Sequence, residues 1–119
     1  MRKLFVVSTI IAVSAIASCT KDKADDPNAC IYKSSEIRYN GLISSIINTS
    51  CANNSSCHGT NQTQEGGGEY TSYDLIKEKV DNGSFKSRVF DLKDMPQGSS
   101  LSACDLKKLK EWYDAGAPQ

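Results

Sequence analysis

Apolar side chains recur along this chain at the three- and four-residue spacing that places them on one face of a helix. The spacing predicts helices over residues 35–48, 73–80 and 103–114. Their apolar faces consist of Ile37, Leu42, Ile43, Ile46 and Ile47, then Leu75, Ile76 and Val80, then Leu106, Leu109, Trp112 and Tyr113. No segment of useful length alternates between apolar and polar residues as a strand would. The pattern therefore predicts an all-α fold of three or four short helices joined by long loops.

Capping residues mark where these helices begin. Thr71 or Ser72 can cap the second helix and Ser102 the last one, because a hydroxyl oxygen accepts a hydrogen bond from a free backbone N–H group. Residues 85–90 form a short amphipathic piece of one or two helical turns. The polar stretches over 59–69 and 93–100 show no helix or strand pattern, so we expect them to be loops.

The N-terminus has the layout of an export signal. Arg2 and Lys3 precede an apolar run over residues 4–16, which is short for a membrane span and typical of a signal peptide. The run closes with the residues IASC, ending at Cys19. This ending resembles a bacterial lipobox, whose cysteine becomes the first mature residue and carries lipid. An ordinary signal peptide that is cut near Ala17 is the alternative.

The leader sets the expected domain organisation. We expect a lipoprotein signal peptide over residues 1–18, a flexible tether over 19–29 and one small domain over 30–119. The tether is charged and lacks large apolar side chains. The protein would then be exported and held on the lipid bilayer of the cell envelope, at the periplasmic face or the cell surface.

The charge of the chain argues against one class of partner. The full sequence has 14 basic and 14 acidic residues. Removal of Arg2 and Lys3 with the leader leaves 12 basic residues, so the mature chain has a net charge near −2. No basic face is present that would bind nucleic acid, and we expect none as a partner.

Five cysteines need a role. If Cys19 carries lipid, four remain, and an exported protein can form disulfides. Four cysteines allow three sets of pairings. One arrangement is distinctive, because it ties Cys30 at the start of the domain to Cys104 in the last helix and leaves Cys51 and Cys57 for a site.

Residues 51–60, CANNSSCHGT, carry the candidate chemistry. Cys57 directly precedes His58, the only histidine of the chain, and haem-attachment motifs of the c type end in Cys-His. The mature chain has a single methionine, Met95, in a polar loop before Pro96. Histidine and methionine are the two axial ligands of iron in low-spin cytochromes c. These residues predict one covalent haem whose iron is held by His58 and Met95.

The spacing of the two cysteines is unusual. Five residues separate Cys51 from Cys57, whereas the common motif has two. On a regular helix, residues six apart point about 240° away from each other. The segment must therefore leave helical geometry, and its Asn and Ser residues favour turns. We expect a bulged loop between the cysteines.

Two other interpretations of these residues stay open. Cys51 and Cys57 can pair with each other, which would give a protein without haem. Alternatively, Cys51, Cys57 and His58 can bind zinc together with Cys104 or a carboxylate. An oxidising compartment disfavours free thiolates, and a zinc site leaves Met95 without a role. No motif of a hydrolase accompanies the single histidine.

The chain resembles the small cytochrome c-like domains of Bacteroidetes exported lipoproteins and, more distantly, class I cytochromes c. The resemblance runs from about Cys30 to Pro118 and rests on YNGLISSIINTSC, CHG, YTSYDLIKEKVDNGSFKSRVF and MPQGSSLSACDLKKLKEWYDAGAP, in that order. In that family a Met-Pro loop is followed by a helix that ends in Trp. The resemblance implies a small cytochrome c-like fold with thioether anchors at Cys51 and Cys57, a proximal His58, a distal Met95 and a structural disulfide involving Cys30 and Cys104.

These features together predict an electron carrier and not an enzyme, because an iron with six ligands has no open position for a substrate. The expected cofactor is one haem c. The expected partners are a redox partner protein or a respiratory complex, together with the bilayer that holds the lipid. The alternative is a disulfide-stapled lipoprotein of the same fold that has a binding or structural role and no haem.

Overall fold

Four α-helices carry the fold in the computed structural model, which describes residues 30–61 and 68–119. They are α1 (Ser44–Ser50), α2 (Tyr73–Asp81), α3 (Ser84–Lys86) and α4 (Ala103–Asp114). The described residues contain no strand, so the predicted all-α class is confirmed. The predicted leader over 1–18, the tether over 19–29 and the lipid-bearing Cys19 lie outside the described residues.

Helices α2 and α4 begin where the sequence predicts. The hydroxyl oxygen of Ser72 accepts a hydrogen bond from the backbone N–H of Leu75 at 3.5 Å. In the same way, Ser102 accepts one from Asp105 at 3.0 Å. After α2 the chain turns at Gly83, whose φ of +82° suits glycine. The short α3 continues into a wider helical turn over Ser87–Asp91.

The predicted helix over residues 35–48 is wrong in its first half. A 3-10 turn covers Ser34–Glu36, a wide irregular turn covers Tyr39–Ile43, and regular α-helix begins only at Ser44. The break occurs at Gly41, whose φ and ψ of −104° and −117° are not helical. A Cβ atom there would lie 2.5 Å from the carbonyl oxygen of Glu36, so only glycine allows the backbone to pass this closely.

The core lies between α1, α2 and α4. Five large side chains are almost completely buried in it, namely Ile43, Ile47, Ile76, Leu109 and Trp112. Burial of such side chains is the main favourable term in folding. A disulfide joins Cys30 to Cys104 with a Cα–Cα distance of 5.2 Å and fastens the first described residue to α4.

The residues after α4 are hydrogen-bonded to several other parts of the fold. Trp112 donates a hydrogen bond from Nε1 to the carbonyl oxygen of Pro118 at 2.8 Å. The same oxygen accepts the backbone N–H of Tyr39 at 3.0 Å. The hydroxyl of Tyr73 donates to the carbonyl oxygen of Ala117 at 2.9 Å. We call these three hydrogen bonds the C-terminal clasp, because they join α4, α2 and the turn before α1.

Within the described ranges, no helix has the length and apolar character that crossing a membrane requires.

Candidate functional site

A cleft of about 710 Å³ opens beside the core. The four side chains that the sequence analysis assigned to the cofactor all line it, namely Cys51, Cys57, His58 and Met95. Protein interiors contain few voids larger than a water molecule, so a cleft of this size is not a packing defect. It lies within the range of roughly 300–1,000 Å³ that is usual for ligand and cofactor pockets.

Cys51 reaches the cleft from the end of α1. Its backbone N–H donates to the carbonyl oxygen of Ile47 at 2.8 Å, which closes the last helical turn. The side chain is only 9% exposed and belongs to the apolar core. Cys51 is therefore held firmly by the helix that precedes it.

The five residues between the cysteines form a compact series of turns, as the spacing predicts. The carbonyl oxygen of Asn54 accepts the backbone N–H groups of Cys57 and Gly59 at 3.2 and 3.0 Å. The backbone N–H of His58 then donates to the carbonyl oxygen of Cys51 at 2.9 Å. A Cβ atom at Gly59 would lie 2.5 Å from the Asn54 oxygen, so this loop requires glycine there. The longer spacer thus folds back and returns Cys57 to the same cleft.

Cys51 and Cys57 are not joined to each other. Cys51 is buried, whereas Cys57 is partly exposed. Burial raises the pKa of the Cys51 thiol to about 11, and the nearby Cys57 adds to this shift. The Cys51 side chain is therefore a neutral thiol near pH 7.

His58 has a defined ring orientation. Its Nδ1 lies 2.8 Å from the carbonyl oxygen of Gly68. A carbonyl oxygen only accepts hydrogen bonds, so Nδ1 carries a proton, and Nε2 is the ring nitrogen that this bond leaves available. Metal-binding histidines usually donate their other ring N–H to a carbonyl oxygen or a carboxylate in this way.

Tyr70 is a contact that the sequence analysis missed. Its ring stacks on the imidazole of His58, with ring centroids 3.9 Å apart and planes 6° from parallel. Burial raises the pKa of the Tyr70 hydroxyl, Cys51 raises it further, and Arg88 acts in the opposite direction. Tyr70 follows a Gly-rich polar stretch, and no periodicity in the sequence connects it with His58.

Met95 enters the cleft from the loop after residues 87–91. The carbonyl oxygen of Arg88 accepts the backbone N–H groups of Asp94 and Met95 at 3.1 and 3.3 Å. In addition, Arg88 donates from Nε to the carboxylate of Asp94 at 2.8 Å. Met95 is half-buried and packs against the edge of the core. The Asp94 carboxylate and the Arg88 backbone therefore fix the loop that presents the thioether.

The rest of the lining includes apolar, cationic and neutral polar residues. Phe85 and Val89 contribute buried apolar surface. Lys79 and Arg88 bring positive charge to the same cleft. The sequence analysis assigned neither cation to the site, because each lies on a helical segment whose charged residues resemble an ordinary solvated face.

No protein-family model, curated protein or solved structure matches the chain.

The residues that are present fit a haem. The cleft offers two free thiols, an imidazole with a free nitrogen and a thioether, together with apolar walls and two cations. A haem is a flat apolar ring with two carboxylates, so the apolar residues and the cations of this lining both suit it. Residues 30–61 and 68–119 contain no group of three or more His, Cys, Asp or Glu side chains that could hold a metal ion. Cys104, a candidate fourth ligand of the zinc interpretation, is bonded to Cys30.

Proposed function

We propose that this protein is an electron carrier that binds one haem c, with Cys51 and Cys57 as thioether anchors and His58 and Met95 as axial ligands. The observation that carries the proposal is the meeting of these four side chains in one cleft. They come from α1, from the loop after it and from a loop almost 40 residues further along the chain. A chance arrangement of the only histidine and the only methionine beyond Met1 around two free thiols would be unusual.

When bound, the haem supplies an iron centre that takes up and releases single electrons. The protein has to orient the ligands and exclude water. The hydrogen bond from Nδ1 of His58 to Gly68 fixes the proton on that nitrogen and leaves Nε2 for the metal. With Met95 as the second ligand there is no vacant position, so we infer a carrier and not an enzyme.

The lining has two further tasks in this proposal. Phe85 and Val89 keep water away from the ring, and a dry environment is one of the factors that set a haem potential. Lys79 and Arg88 are the cations available for the haem carboxylates. Arg88 also binds Asp94, so that one side chain would connect the carboxylate end of the cofactor with the Met95 loop.

The proposal includes a location and partners. We infer that the protein is exported and held on the envelope by lipid on Cys19, within reach of a redox partner protein or respiratory complex. Mass spectrometry of the mature N-terminus tests this part. A lipid-modified peptide that begins at Cys19 is the expected result, and a chain that begins at another residue would contradict it.

Mass spectrometry of the protein from its own host tests the cofactor assignment. The expected result is a haem adduct on the peptide that contains Cys51 and Cys57. His58→Ala should carry little or no haem, whereas Asn53→Ala, an exposed position in the same loop that does not line the cleft, should carry as much as the wild type. Cys57→Ser and Cys51→Ser show whether one thioether is enough. A wild-type peptide without haem, or an unaltered spectrum for His58→Ala, would contradict the proposal.

A further inference from the structure

Three contacts hold His58 to the segment of residues 68–70. The imidazole donates from Nδ1 to the carbonyl oxygen of Gly68 at 2.8 Å. The backbone carbonyl oxygen of His58 accepts the N–H of Tyr70 at 2.8 Å. The ring of Tyr70 stacks on the imidazole at 3.9 Å. Both the backbone and the ring of His58 are thus fixed by residues ten and twelve positions away.

The hydrogen bond alone does not define the plane of the imidazole. The χ2 angle of histidine is soft, and a ring can still rotate about the line from Nδ1 to its acceptor. A second ring in parallel contact removes that freedom. Aromatic centroids are usually about 4.5–7 Å apart, and this pair is closer. The Tyr70 ring is therefore the contact that defines how the imidazole is turned.

Tyr70 is itself held in place. Its side chain is partly buried, lines the cleft and packs against the edge of the core. The phenol ring therefore has packed neighbours besides the imidazole, and these limit its own movement.

We propose that Tyr70 is a positioning residue that sets the plane of the His58 imidazole through ring stacking. This inference rests on the proposed function, in which Nε2 of His58 binds iron. The plane of an axial imidazole decides how its orbitals overlap with those of the metal. Tyr70 therefore tunes the electronic state of the site without touching the metal, and its ring matters more than its hydroxyl.

The contact is tested first in the chain without haem by NMR. His58 is the only histidine, so its ring protons are assigned without ambiguity. Protons over an aromatic ring resonate upfield, so Tyr70→Leu should move them downfield and Tyr70→Phe should not. If the chemical shifts of the His58 ring protons in Tyr70→Leu equal those of the wild type, the proposal is overturned. If Tyr70→Leu does not fold, through-space contacts between the two rings in the wild type decide the question, and their absence overturns it.

The consequence for the metal is tested in the haem-loaded protein by electron paramagnetic resonance and potentiometry. Tyr70→Leu should change the g-values of the oxidised protein and shift the midpoint potential, while Tyr70→Phe should retain the wild-type values. Tyr113→Leu is the matched control, since this half-buried tyrosine does not line the cleft. Equal g-values for Tyr70→Leu and the wild type would overturn the proposal. A wild-type chain without haem would instead contradict the proposed function, and the ring protons would still report the contact.

Discussion

The α4 side and the cleft side of this small protein are stabilised in different ways. On the α4 side, Leu109 and Trp112 are completely buried, and a disulfide and the C-terminal clasp join the helix to its neighbours. On the cleft side, the loop with Cys57 and His58 is shaped mainly by backbone hydrogen bonds. Cys57 and His58 line the open cleft, and the ring of His58 packs only against Tyr70 among the aromatic rings of the described residues.

The residues that stabilise the fold and the residues that carry reactive groups therefore lie mainly in different regions. Side chains with reactive groups must be accessible, so they cannot supply much apolar burial. The small core and the disulfide on the α4 side provide the stability that the cleft side lacks. Changes on the α4 side should therefore alter unfolding most, and changes at the less buried cleft residues should mainly alter the cofactor.

The largest effect on stability should come from removal of the disulfide. Cys104→Ser opens a loop closed over a sequence separation of 74 residues, which in the chain-entropy description costs about 4–5 kcal/mol. Urea unfolding measures the loss. Cys30→Ser and the double variant should show the same loss as Cys104→Ser, because all three remove one bond. Additive losses would indicate that the two cysteines stabilise the fold separately.

The next largest loss of stability should come from truncation of a core side chain. Leu109 is completely buried, so Leu109→Ala should lower the free energy of unfolding by about 2–5 kcal/mol. The haem content of the folded fraction should not change, since Leu109 does not line the cleft. Urea unfolding and haem absorbance per folded chain measure both quantities. A variant of normal stability would show that α4 contributes less to the core than its burial indicates.

The buried Cys51 thiol predicts that the free energy of unfolding depends on pH. The pKa of Cys51 is raised from an ordinary value of 9.0 to about 11, so folding favours the neutral thiol. The contribution of this thiol to folding stability is fully present below pH 9 and is lost as the pH rises toward 11. The rise of this pKa from 9.0 to about 11 corresponds to about 3 kcal/mol of unfolding free energy at most. In the haem-free chain, Cys51→Ala should lose this part of the pH dependence. An unchanged profile would contradict the buried position of Cys51.

The smallest effect on stability should belong to Met95→Ala. Met95 is half-buried at the edge of the cleft, so we expect a loss of about 1 kcal/mol or less, below the range for fully buried methionines. The haem should remain attached, but added cyanide or carbon monoxide should now bind to the iron. Ligand binding followed by absorbance measures this. If the variant binds cyanide and carbon monoxide no better than the wild type, the assignment of Met95 as an axial ligand is contradicted.

Much of the fold could be predicted from the sequence because α2 and α4 have clear caps and regular apolar spacing. The error in residues 35–48 has a local cause. Gly41 leaves the helical region so that the chain can pass close to Glu36, and apolar spacing alone does not detect such an approach.

The reactive residues of the candidate site could be proposed from the sequence, but the residues that surround them could not. Cys51, Cys57, His58 and Met95 are recognisable because of their chemistry and rarity. Tyr70 is an ordinary residue type, and its role depends on the return of a distant segment to His58. Such contacts arise from tertiary structure, which residue type and spacing do not encode in a readable form.

The most direct test of the account is a visible spectrum of the wild-type protein purified from its own host, followed by a haem stain after a denaturing gel. The host matters because a foreign maturation system can reject the five-residue spacer. The account predicts sharp absorption bands in the reduced protein and a stain that survives denaturation. A colourless protein in which mass spectrometry finds Cys51 bonded to Cys57 would contradict it.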